Sequence, residues 1–209
     1  GRKVTMSLSG LFLISFLLIH VTINFLSVFS ADMYNSASHF MGTNFLVQLF
    51  LQPVLIAGVV FHFVMGIVLE AKNRAARPIK YANKKGSELT WMSRNMILTG
   101  LVVLAFLALH FVDFWFPEMN YKYIEMKPAD EDRYYGELVH KFQNPYRVWA
   151  YVISFVLLAL HLLHGFQSSF QTLGVNNKFT PAIKKVAYAF SVVVPVIFII
   201  IALYHYLNH

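Results

Sequence analysis

Cysteine is absent from the 209 residues. That excludes disulfides, thiolate-bound zinc and iron–sulfur clusters held by this chain. Charge is scarce too, at 13% of residues, where soluble domains carry about 25%. Acidic residues are the rarer sign, ten against seventeen Lys and Arg. The cations gather in a few connecting stretches, and nothing but charge points to nucleic acid, so that partner class is excluded. What remains is apolar: 57% of residues are hydrophobic and the mean hydropathy is +0.56. The composition is that of an integral membrane protein.

A membrane-spanning helix needs about 20 apolar residues. Five stretches qualify, and the expected fold is an all-α bundle forming one transmembrane domain over residues 1–209. The predicted helices are Thr5–Phe29, Asn44–Glu70, Ser93–Phe116, Tyr146–Gln171 and Ile183–Leu207. The first run, about 22 residues, exceeds the roughly 7–15 of a signal-peptide core and has no small-residue cleavage pattern after it. Pro53 and Pro195 fall inside helices, where they should kink the backbone locally.

Twelve of the seventeen Lys and Arg fall at one end of the bundle: Arg2, Lys3, seven between Lys72 and Arg94, and Lys178, Lys184 and Lys185. The positive-inside rule puts that end in the cytoplasm. The N-terminus is then cytoplasmic and the C-terminus periplasmic. The basic stretch Lys72–Arg94 reads equally as a lipid-headgroup anchor or as a docking surface for a soluble partner.

One motif recurs. Ser9-Gly10-Leu11, with Phe16 and His20 further on, is matched ninety positions later by Thr99-Gly100-Leu101, Phe106 and His110. A histidine deep in an apolar span is costly, and so is a functional hypothesis by default. Each of the first four helices carries one: His20, His62, His110, and His161 and His164 on the fourth. At 1.5 Å of rise per residue, His20 and His110 lie roughly 25 Å from the cytoplasmic edge, and His62 and His164 roughly 15 Å. His164 is preferred to His161 because its depth matches His62 and Gly165 beside it makes room for a ring. His205 falls too near the outer edge and lacks a partner.

Two facing histidines at one depth suit bis-imidazole ligation of a haem iron in a bundle core. Two such levels make an electron path across the bilayer. Gly10 and Gly100, ten residues before their histidines, should leave space for the inner group. Packing between helices is the other reading of these glycines and of Gly58, Gly66 and Gly165.

Five helices, histidines on the first four and His164-Gly165 on the fourth resemble the membrane-anchor subunits of succinate:quinone oxidoreductases and fumarate reductases. The likeness is to the single-polypeptide, dihaem type, and is greatest to succinate dehydrogenase cytochrome b subunits of Bacteroidetes-like bacteria. It covers the whole chain and rests on the ordered set of histidines.

The resemblance implies two haem b groups, a distal one on His20 and His110 and a proximal one on His62 and His164. It implies a quinone, menaquinone, and flavoprotein and iron–sulfur subunits on the cytoplasmic face. The whole would be a quinone-reactive respiratory enzyme of the bacterial inner membrane, with a dimer of heterotrimers as one assembly. Arg2, Lys3, Ser9, Trp91, Ser93, Arg94, Ser168 and Lys178 are candidates to meet the proximal propionates. Quinone would bind near the distal haem, where Asp113, Asp32, His39 and Glu118 are the candidate proton acceptors. Where some fumarate reductases of the family place a Glu on a proton path, this chain has Leu162. Two other readings compete: a haem b subunit of a hydrogenase or formate dehydrogenase, and a histidine-using transporter of metal or protons, which would show no visible absorption.

Overall fold

A computed structural model describes residues 1–75, 95–175 and 177–209. Among them all regular structure is helical. In chain order the elements are α1 (Arg2–Phe29), α2 (Ala31–Thr43), α3 (Val47–Ala75), α4 (Met96–Ile124), α5 (Arg133–Phe142), α6 (Pro145–Thr172) and α7 (Thr180–Asn208). Five of them, α1, α3, α4, α6 and α7, are long and apolar enough to cross a membrane. Ile19, Phe61, Leu98, Ile153 and Val193 stand exposed on their outer faces, as a lipid-facing surface requires.

Helices α1, α3, α4 and α6 form a ring of four. In it α1 touches α3 and α6, and α4 touches α6 and α3. Helix α7 packs outside the ring along α6 and α1. The apolar core lies mainly between α6 and α7. Tyr151, Phe155, Leu158 and Leu162 form a stripe on α6 at helical spacing, facing Val194, Phe198 and Ile201 on α7. Phe155 stacks on Phe198 with ring centres 5.1 Å apart. Leu162 belongs to this core.

The helix ends differ from the sequence expectation at the start of α3 and at the end of α4, and each of these helices contains a proline. Helix α4 does not stop at Phe116 but runs through Pro117 to Ile124. Helix α3 begins at Val47, after Asn44 has capped it by accepting from the Leu46 and Val47 amides at 3.0 and 3.2 Å. In each case a single π-turn, Val47–Leu51 or Phe111–Trp115, ends two residues before the proline. The Gln52 and Phe116 amides reach back five residues, to the Val47 and Phe111 carbonyls. A proline ring normally collides with the carbonyl four residues behind it. The wider π-turn moves that carbonyl aside, so the helix continues. Pro195 is also carried inside unbroken helix.

The two loops at the His20 end fold as well. Ser30 caps α2 by accepting from the Met33 amide, and α5 buries Leu138 and Phe142. Asn35 ties the two together: its Nδ2 donates to the Asp132 carbonyl at 3.1 Å and its Oδ1 accepts from the Tyr135 amide at 2.7 Å. Arg133 pairs with Glu118 and with Glu137, pinning α5 to the end of α4. Burial pushes the neighbouring Tyr34 phenol up to about 12, so it stays neutral beneath this cap.

Candidate cofactor-binding site

Two histidine pairs meet inside the ring, each joining helices that stand diagonally opposite. His20 on α1 meets His110 on α4, with ring centres 5.7 Å apart and planes at 83°. His62 on α3 meets His161 on α6, at 6.5 Å and 74°. The inner partner of His62 is therefore His161, where the sequence favoured His164. The residues that bury α6 against α7 fix its rotation, and that rotation turns His161 into the ring. Gly165, expected to make room beside His164, instead lies against Met96: a Cβ there would stand 3.2 Å from the Met96 methyl.

Gly10 and Gly100 mark the inner level. A Cβ on Gly10 would stand 3.4 Å from His62 Cε1, and one on Gly100 3.5 Å from His161 Cε1. The missing side chains thus let the imidazoles themselves lie against the α1 and α4 backbones. Gly58 and Gly66 serve packing between helices, receiving Phe12 and Met6 of α1. From Gly10 to His20, and again from Gly100 to His110, the ten-residue rise puts the levels about 15 Å apart. The sequence arithmetic gave about 10 Å. Counted from the inner level, Lys3 is seven residues away on α1 and Lys72 ten on α3, so these two cations do not mark one height.

The hydroxyl preceding each glycine was not recognised in the sequence as a histidine partner. Ser9 Oγ lies 3.0 Å from His62 Nδ1 and donates to the Met6 carbonyl at 2.8 Å. Thr99 Oγ1 lies 3.3 Å from His161 Nδ1 and donates to the Met96 carbonyl at 3.0 Å. The signal was the repeat itself, which reads hydroxyl-Gly in both copies. Ser9, a candidate for a propionate, is thereby assigned to His62. Trp91, Ser93 and Arg94, and most of the basic stretch Lys72–Arg94, lie outside the described residues.

The outer pair has different surroundings. Phe16 stacks on His20 and Phe106 on His110, at 5.3 and 5.9 Å, with Phe198 and Phe114 close by. His110 Nδ1 is buried without a hydrogen-bond partner. His20 Nδ1 faces Asn24 Nδ2 at 3.4 Å, a nitrogen that can donate but not accept.

The four quinone-site candidates do not converge on one point. Asp113, only 2% exposed, accepts from the Tyr151 hydroxyl at 2.9 Å and pairs with Arg147 Nε at 3.1 Å. Glu118 is engaged by Lys122 and Arg133. His39 lies beside Tyr134, ring centres 6.3 Å apart, with its Nδ1 buried and unpaired. Asp32 is exposed in the first turn of α2. His205, expected to lack a partner, is fully buried on α7 and sits 2.9 Å from Ser27 Oγ.

The ring-centre spacing of each pair is compatible with one metal ion bound on both sides. Two metal–nitrogen bonds of about 2 Å, plus about 1 Å from each nitrogen to its ring centre, put the centres about 6 Å apart. The observed 5.7 and 6.5 Å bracket that value. Among the described residues no three His, Cys, Asp or Glu side chains converge as a metal cage. An ion held here by two protein ligands needs its other ligands from elsewhere, and a porphyrin supplies four. No family model, curated protein or solved structure matches this chain.

Proposed function

We propose that the protein is the membrane-anchor and electron-transfer subunit of a succinate:quinone oxidoreductase or fumarate reductase, holding two haem b groups. What carries this reading is the meeting of two diagonal histidine pairs at two depths. His20 and His110 would hold the outer haem, and His62 and His161 the inner one. Bound there, haem supplies reversible one-electron transfer.

The chain's own residues do the rest. The four histidines bind and orient. The glycines seat the inner imidazoles against the backbone, and the phenylalanines around the outer pair exclude water. Asp113 sits one turn beyond His110, on the outer side, and its Oδ1 has no hydrogen-bond partner. In this reading it exchanges a proton with menaquinone at the outer end of α4, with Tyr151 and Arg147 holding it in place.

By the positive-inside rule the end with twelve cations is cytoplasmic, which puts the N-terminus inside, the C-terminus in the periplasm and the chain in the bacterial inner membrane. The basic stretch after α3 would dock the iron–sulfur and flavoprotein subunits, and the assembly would be a dimer of heterotrimers. A reduced-minus-oxidised spectrum with a haem count tests the reading. Two b-type haems per chain and a co-purifying succinate dehydrogenase or fumarate reductase activity are expected. A colourless protein would sink it, and co-purification with a hydrogenase would redirect it.

A further inference from the structure

We propose that Ser9 and Thr99 are positioning residues that hold His62 and His161 in the Nδ1–H tautomer, leaving both Nε2 lone pairs free to bind one metal ion between the rings. The proposal deepens the reading of the pairs as haem ligands and rests on it. A hydroxyl has one hydrogen to give. Ser9 gives its hydrogen to the Met6 carbonyl, so it meets His62 Nδ1 as an acceptor. The hydrogen between them then belongs to Nδ1. A neutral imidazole carries only one, so Nε2 is bare. Thr99 gives its hydrogen to the Met96 carbonyl and puts His161 in the same state.

The same device thus occurs twice, on two helices, in one register of the internal repeat. It serves histidines on the other two helices of the ring. The neighbouring glycines let each imidazole lie against the helix backbone, within reach of its hydroxyl. Nothing equivalent exists at the outer level among the described residues: His110 Nδ1 has no partner, and His20 Nδ1 faces the Asn24 amide nitrogen, which can donate a hydrogen bond but not accept one. A hydrogen bond given by the second nitrogen makes an imidazole the stronger donor and fixes the plane of its ring. It favours the oxidised metal and lowers the reduction potential at the inner level only.

Redox titration of the purified full chain, reading both centres spectroscopically, tests this. Ser9→Ala and Thr99→Ala should each raise the potential of the inner centre, and the double variant should raise it further. The outer centre should stay where it is. Ser9→Thr and Thr99→Ser, which keep the hydroxyl, should restore the original potential. An unmoved inner potential in a double variant retaining both haems would overturn the proposal, as would equal shifts of both centres.

A second measurement covers variants that lose the inner haem or fail to fold. Nitrogen-15 histidine spectra of the unsubstituted chain, produced without haem, should show protonated Nδ1 at His62 and His161. The opposite tautomer overturns the proposal. A native protein that binds no haem defeats the proposed function instead, and the tautomer spectra still decide the roles of Ser9 and Thr99.

Discussion

The inner and outer histidine pairs are spaced alike across the same four helices, yet they are held differently. The inner rings rest on glycine backbones and are gripped through Nδ1 by hydroxyls. The outer rings are wedged among Phe16, Phe106, Phe114 and Phe198, and their Nδ1 atoms have no hydroxyl acceptor. Inner orientation is therefore set by hydrogen bonds, which are directional. Outer orientation is set by packing, which depends on shape. The two levels should fail in different ways when they are damaged.

The largest effect should come from the four proposed haem ligands. His20→Ala and His62→Ala should each remove about half of the visible haem and spare different centres, as two-level ligation requires. Loss of the same centre in both would break the pairing. Next, His161→Ala should abolish the inner centre while His164→Ala keeps both, read in the same difference spectra. The reverse result would mean that α6 turns about its axis when loaded.

A third, smaller effect separates the modes of support. Gly10→Leu or Gly100→Leu drives carbon into the 3.4–3.5 Å contact with the inner imidazoles. The inner centre should shift or be lost and the outer one persist. Gly100→Ala, whose added carbon fits at ordinary contact distance, should be tolerated. The smallest effect is one that neither level should feel. Ser27→Ala leaves the buried His205 Nε2–H unpaired, at a cost of about 1–3 kcal/mol in stability. The melting temperature should fall with both spectra unchanged.

The five long helices were legible because a run of some twenty apolar residues has few other uses. Their ends were less so: Pro53 and Pro195 were expected inside helices, but Pro117 was read as the end of α4, because a proline after a π-turn looks in sequence like any helix-breaking proline. The short helices at the His20 end hid inside stretches read as loops. Only a cap at Ser30 and the spacing of Leu138 and Phe142 announced them.

At the candidate site, the repeat disclosed the register of His20 with His110 and of Gly10 with Gly100. It could not choose between His161 and His164. Three residues turn a helix by about 300°, so the two stand only about 60° apart around the axis. The choice was made by how Tyr151, Phe155, Leu158 and Leu162 pack on α7, and no local pattern around the histidines encodes that. The hydroxyls were visible as letters of the repeat, but their partners lie 53 and 62 residues away along the chain.

The diagonal arrangement bears on the order of biosynthesis. Neither pair is made of successive helices. His20 must wait for His110, and His62 for His161, so no site exists while only the first two spans have left the ribosome. The outer pair is complete once α4 is in the membrane; the inner pair needs α6 as well. A chain halted after α4 should therefore have one loading site, at the outer level, and the second should arise only when α6 closes the ring.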